Sequence, residues 1–327
     1  YAQIAGLPAV YGLYCSILPV LIYGLVTSSP QFVFGVDATP AALVGGTLAT
    51  LGIVSGSEEA KAVVPSITLV AALWLLLFFF IKAGRIVNYI STPVMGGFIS
   101  GIGVTIILMQ AAKLFGGNAG TGEAIKLLMH IAGEMKSFNL LSAVLGVGTV
   151  IIILIAKKFI PKFPMSVLLM VLGALATAIF HIDRCGVKLL PHVDKGLPGF
   201  SLPDMSVVFK NPSEIILLGL SVAGVVMAQT LLATNNYANK YGYKVSNNRE
   251  ILSYAAANAA SAVIGGCPLN GSVSRTGIAD QFGCKSQVMS ITASLTMLLI
   301  VLFGTPVLEY LPVPVSYTHL TLPTTSR

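Results

Sequence analysis

Two broken apolar stretches decide the fold: Gln31-Phe32-Val33-Phe34-Gly35-Val36-Asp37-Ala38-Thr39-Pro40 and Gly265-Gly266-Cys267-Pro268-Leu269-Asn270-Gly271-Ser272-Val273-Ser274-Arg275-Thr276. Each interrupts a chain of long apolar segments with a short extended piece that breaks before a helix begins. Irregular backbone at membrane depth survives only where protein or a water-filled cavity satisfies its N–H and C=O groups. A pair of such breaks in separate halves points to a transporter's substrate site.

Composition sets the medium. The residues are 55% hydrophobic and 9% charged, against roughly 25% charged in soluble domains, and mean hydropathy is +0.87. Such a chain cannot cover a water-facing surface, and it reads as an all-α polytopic membrane protein. The net charge of +7 comes from Lys and Arg in loops beside spans, which suits membrane orientation and not nucleic acid. Cys15, Cys185, Cys267 and Cys284 lie far apart, and the histidines have no ligand spacing. No metal, cofactor or disulfide framework is expected.

A span needs about 20 mostly apolar residues. Those at Ala9–Val26, Pro65–Ile81, Pro93–Leu114, Leu140–Ala156, Pro164–Phe180, Glu214–Ala233, Glu250–Ile264 and Val288–Phe303 qualify or come close. Half-helices are expected from Ala38 and Ser272, and Tyr1–Gly6 reads as the end of a preceding span. That numbering makes the half-helices spans three and ten. It also puts Lys82 and Arg85, Lys157, Lys158 and Lys162, and Lys240, Lys244 and Arg249 in even-numbered loops. The positive-inside rule places those loops in the cytoplasm. Spans three and ten, seven apart, run in opposite directions, as in an inverted repeat of seven elements. The final run, residues 313–327, continues no helical pattern and looks non-native, so both ends of the chain read as cut.

The candidate site follows from the breaks. A helix starting at mid-membrane presents free N–H groups and about half a positive charge, and two such ends facing each other hold an anion. Arg275, just inside the second break, either attracts the anion or pairs with Asp37 or backbone carbonyls to lock the halves together. Asp37 is either an N-cap or a protonatable, cation-binding group. Gln229 sits deep enough in span eight to face a cavity, whereas Asn235 and Asn236 look like the helix end. The run Gly116-Gly117-Asn118-Ala119-Gly120-Thr121-Gly122 lacks the Lys-Ser/Thr of a phosphate loop and reads as a flexible external loop. No hydrolase motif occurs, so the chain is not expected to be an enzyme.

Ala2-Gln3-Ile4-Ala5-Gly6-Leu7-Pro8-Ala9-Val10-Tyr11-Gly12-Leu13-Tyr14, then Gly35-Val36-Asp37-Ala38, Asn248-Arg249-Glu250 and the second break in that order, resemble the signatures of the SulP/SLC26 anion transporters. The resemblance implies a seven-plus-seven inverted repeat, an elevator-like core and a gate. The core would take residues 1–57, 58–90 and 214–312, and the gate 91–213. It implies a substrate site of Tyr1, Asp37, Ala38, Thr39, Gln229, Ser272, Ser274 and Arg275. The expected partners are a small inorganic anion, the lipid bilayer and, in the full-length protein, a second copy. A co-transported H+ or Na+, or an exchanged counter-anion, would complete the cycle. Two positions depart from the pattern: Gly35-Val36 stands for the usual Gly-Pro, and Gln229 stands where many members carry Glu or Asp. A nucleobase transporter of the same architecture, an anion channel and a non-transporting scaffold are the alternatives.

Overall fold

The computed structural model describes residues 1–85, 93, 97, 100, 101, 104, 107, 108, 111–118, 124–160, 165–180, 186–189, 196, 197, 199, 200, 202–304, 311–313 and 315. Half of the expected span 93–114, the loop residues 119–123 and nearly all of the 313–327 tail lie outside them. The chain forms two compact units, Tyr1–Phe98 with Gly196–Leu302, and Ile99–Lys195 with Phe303–Arg327.

The first unit holds α1 (Ala9–Tyr14), α2 (Leu18–Val26), β1 (Phe34–Val36), α3 (Ala38–Thr50) and α4 (Glu58–Phe80). The expected span over Ala9–Val26 is long and apolar enough to cross a membrane, and is divided into the two helical segments α1 and α2. Pro19 sits in the first turn of α2, where its missing N–H is harmless, but its ring bars a helix from running in from Ser16. α4 starts seven residues before the expected Pro65. Ser57 accepts the Ala60 N–H at 3.1 Å, and Glu58 and Glu59 occupy the first turn, both favourable at a helix N-terminus.

The second half of this unit carries a short helix and a long one, then the second break. After Met205–Lys210, which is α5 here, come α6 (Pro212–Tyr241), α7 (Asn247–Val263), β2 (Leu269–Gly271), α8 (Val273–Gln281) and α9 (Val288–Leu299). Asn235 and Asn236 do not end their helix, contrary to expectation. α6 runs on to Tyr241 and stops where Gly242 turns left-handed at φ 72°, a conformation glycine adopts without a Cβ penalty. α4 packs against α6 and α7, and α7 against α2. Close approach needs small residues. A Cβ on Gly219 would meet Val70 Cγ1 at 2.5 Å, and α7 is mostly Ala, Ser and Asn. Ala9–Val26, Glu58–Phe80 and Pro212–Tyr241 are long and apolar enough to cross a membrane.

One buried carboxylate ties the halves of this unit together. Glu250, fully buried in the first turn of α7, accepts hydrogen bonds from the Ser28 and Ser29 N–H groups at 2.6 and 3.0 Å. It also accepts from the hydroxyls of Thr27, Ser28 and Tyr23. Arg249 donates from Nε to the Val26 carbonyl at 2.7 Å. The turn that leads from α2 into the first break is therefore held by residues more than 220 positions later.

The second unit contains Ala124–Glu134, Leu140–Phe159 and Met165–Phe180 among its described helices; they are called γ1, γ2 and γ3. Asn139 caps γ2 by accepting the Ser142 N–H at 2.8 Å. γ1 was not expected from the sequence. The glycine-rich stretch before it is anchored where described, since Asn118 is bonded through its backbone to Glu134 and His130.

Candidate functional site

The two breaks meet. β1 and β2 pair antiparallel, with Phe34 opposite Gly271, Gly35 opposite Asn270 and Val36 opposite Leu269. Each strand satisfies the other's backbone, as the membrane interior demands. Each then enters a helix, β1 through Asp37 and β2 through Ser272. Antiparallel pairing over three residues sets the starts of α3 and α8 at opposite ends of a ribbon about 7 Å long, so both positive dipole ends point towards it. Glycine is required in the ribbon: a Cβ on Gly271 would meet Phe32 Cε1 at 2.3 Å and Thr230 Cγ2 at 2.4 Å. Phe34 stacks on Tyr23 and Tyr254, with ring centres 4.7 and 5.2 Å away, fixing the outer end of β1.

A polar network surrounds the ribbon. Asn270, fully buried, donates from Nδ2 to Gln229 Oε1 at 2.9 Å and to Asp37 Oδ2 at 3.5 Å. Its carbonyl oxygen accepts from Thr230 at 2.6 Å, and that hydroxyl accepts the Gly271 N–H at 3.0 Å. Across the ribbon, Val33 donates to Thr276 Oγ1 and Ser272 N donates to the Val33 carbonyl. Arg275 donates from Nη2 to the Val36 carbonyl at 2.7 Å and lies 3.9 Å from Asp37 Oδ1. Its side chain is 39% exposed and that of Asp37 is 13% exposed. Gly35 leaves room for it, since a Cβ there would come within 3.1 Å of Nη1.

Asp37, Gln229, Ser272 and Arg275 thus belong to one connected cluster. Asp37 occupies the N-cap position of α3 but makes no side-chain cap bond; its carboxylate turns to Asn270 and Arg275. Arg275 takes the pairing role, bonding a carbonyl of the opposite break, and keeps an exposed face. Ser272 accepts the Arg275 N–H at 3.4 Å, and Ala38 and Thr39 are buried in the first turn of α3. Ser274 lies in the first turn of α8, and its side chain is outside the described residues. The Tyr1 side chain is in electrostatic range of Asp37 and Arg275. Sequence reasoning missed Asn270 and Thr230. A buried amide in an extended membrane segment must find partners, and that rule alone marks Asn270.

The backbone of Ile4 lies tight against α3. A Cβ on Gly45 of α3 would fall 1.9 Å from the Ile4 carbonyl oxygen, so Gly45→Ala must push the first turn of the chain off α3. Overpacking of this kind costs about 1–3 kcal/mol. The expected result is a lower thermal midpoint, read by thermal unfolding in detergent.

Comparison with known proteins places the chain in a family. Residues 1–315 match the sulfate permease family. A probable sulfate transporter of Mycobacterium tuberculosis is 26% identical over 314 residues, covering 96% of this chain and 55% of that protein. The low affinity sulfate transporter 3 of Stylosanthes hamata is 27% identical over 337 residues, covering 96% and 52%. The chain spans about half the length of the curated relatives it matches. In structure it superposes on SLC26A9 with a TM-score of 0.88 at 22% identity, covering 99% of this chain and 54% of that one. On the transmembrane domain of the cyanobacterial bicarbonate transporter BicA the TM-score is 0.84 at 19% identity, covering 97% and 81%. The fold is that of these all-α membrane transporters, and the chain belongs to the sulfate permease family.

Proposed function

We propose that the full-length protein moves a small inorganic or carboxylate anion, such as sulfate, bicarbonate or chloride, across the cytoplasmic membrane by secondary active transport. The anion would sit between the starts of α3 and α8, beside Arg275, with Ser272, Ser274, Ala38, Thr39, Gln229 and Tyr1 around it. The observation that carries this reading is the antiparallel pairing of the two breaks, which aims two helix N-termini and one half-exposed arginine at the same ribbon. Anion transport is also what the names of the sulfate and bicarbonate transporters among its relatives describe.

In this reading the first unit is the moving core of an elevator and the second belongs to the gate. The even-numbered loops face the cytoplasm, and a second copy completes a homodimer. The test is uptake of radiolabelled sulfate by the full-length protein in liposomes, with chloride, bicarbonate and uracil as competitors. Saturable uptake inhibited by anions is expected. Flux that never saturates would indicate a channel, and competition by uracil alone would indicate the nucleobase reading.

Coupling is proposed to run through Asp37 and not through position 229, because an amide takes up no proton in the physiological range. Gln229→Glu would place a second carboxylate on the nitrogen that Asp37 already shares, Asn270 Nδ2. Two carboxylates on one donor disfavour the doubly ionised state. Uptake by Gln229→Glu should therefore rise more steeply as external pH falls than uptake by the parent. If the parent is steeply proton-driven and Asp37→Asn leaves that slope intact, the coupling group lies elsewhere.

A further inference from the structure

The helix γ1 is amphipathic in the reverse sense to a helix on a water-washed loop. Its inward side carries Leu127, fully buried, and two polar groups tied to the chain. His130 donates from Nε2 to the Asn118 carbonyl at 3.1 Å, and Glu134 Oε2 accepts the Asn118 N–H at 2.7 Å. Its outward side carries Ile125, Leu128 and Met129, which are 71%, 55% and 62% exposed, and exposed Ala132. These positions follow the spacing i, i+3, i+4, i+7 that makes one helix face. A helix that turns His130 and Glu134 to protein and its apolar stripe outward matches an apolar medium.

We propose that γ1 is an interfacial anchor that lies in the headgroup boundary of the bilayer, with the Ile125, Leu128 and Met129 stripe in lipid. Lipid is favoured as the occupant because exposed apolar residues flank Lys136 on both sides where the chain enters the membrane, and a lysine there suits the headgroup boundary. Exposed Met135 and Phe138 lead into γ2, where Leu140 and Val144 are exposed on an apolar segment, Leu140–Ala156, of near-spanning length. Exposed apolar residues therefore lead from the loop helix to the near-spanning segment, with only Lys136 as a described exposed charge between them. Interfacial helices of this type sink their apolar face about 5–10 Å into the headgroup and acyl boundary. By the orientation argued above, this is the outer leaflet, since γ1 lies in an odd-numbered loop. Such an anchor fixes the depth of the second unit without contributing to the anion site.

The test places a tryptophan on the stripe, Leu128→Trp or Met129→Trp, in full-length protein otherwise free of tryptophan. The protein is reconstituted in phosphatidylcholine brominated either near the headgroup or near the chain end. Headgroup-proximal bromine should quench emission at both positions at least about twofold, and chain-end bromine much less, as a shallow insertion requires. Acrylamide in the buffer should have little effect. Efficient acrylamide quenching with no bromolipid effect would show the stripe in water. Blue-shifted emission insensitive to both quenchers would show it covered by protein, whether the rest of the chain or a second copy. Either result would overturn the proposal, and agreement between the two positions guards against a local distortion by one substitution.

Discussion

Arg275→Ala in the full-length protein is expected to weaken apparent affinity for a monovalent anion by about tenfold, and for sulfate by more. Unit charges about 4–5 Å apart at an effective dielectric near 20 interact by about 3–4 kcal/mol. The arginine side chain is 39% exposed, and solvent screening brings that to about 1–2 kcal/mol per ligand charge. A divalent anion feels twice the field, so the ratio of sulfate to chloride affinity should fall in the variant. Arg275→Lys keeps the charge but loses the planar fork that reaches the Val36 carbonyl, and should fall between parent and Ala. Competition of labelled sulfate uptake by chloride measures all three. An Ala variant with lower thermal stability but unchanged affinities for both anions would make Arg275 a brace between the breaks and nothing more.

The breaks were legible because Gly, Pro and polar residues inside apolar runs have few readings in a bilayer. Glycines and an Asp before Ala38, or a Ser before Val273, mark a helix starting late, and a pair of late starts implies facing helix ends. Arg275 was legible for the same reason, since an intramembrane cation must have a purpose. What stayed hidden was long-range or masked by a stronger local pattern. Pro19 breaks a run whose hydropathy is unbroken, so hydropathy alone joined α1 to α2. Pro65 drew the start of α4 inward, although Ser57 with two acids behind it was the better helix-start signal. γ1 is short, and its sequence does not reveal that its polar side faces protein. Asn270 needs Gln229 and Thr230, some 40 residues away, before its role is visible. Glu250 marked only the start of a span, because Thr27, Ser28 and Ser29 lie more than 220 residues before it.

That long separation makes Glu250 the position where the chemistry of one atom should decide whether the first unit holds together. Glu250→Leu removes the acceptor for the Ser28 N–H group and for the hydroxyls of Thr27, Ser28 and Tyr23, and leaves the Ser29 N–H only Thr27 Oγ1, at 3.1 Å. An orphaned buried donor costs about 1–3 kcal/mol, so the loss should reach about 3–5 kcal/mol even after the hydroxyls rotate to other acceptors. That is a large share of the stability of an ordinary domain, and the variant should melt far below the parent or fail to accumulate. Glu250→Gln separates acceptor loss from charge loss. Both backbone N–H groups bond Oε1, whereas Oε2 meets only the hydroxyls of Thr27 and Tyr23. Gln can keep its carbonyl oxygen at the first site and place its amide nitrogen at the second, where both hydroxyls can turn to accept. Only the charge assistance is lost, roughly 1–2 kcal/mol. Thermal midpoints in detergent should therefore run parent, Gln, Leu in descending order, with the larger step between Gln and Leu. Hydrogen exchange at the amide of Ser28 should quicken strongly only in Leu. If Gln melts as early as Leu, the negative charge and not the acceptor pattern holds the turn, and the clamp works by a different balance from the one its hydrogen bonds indicate.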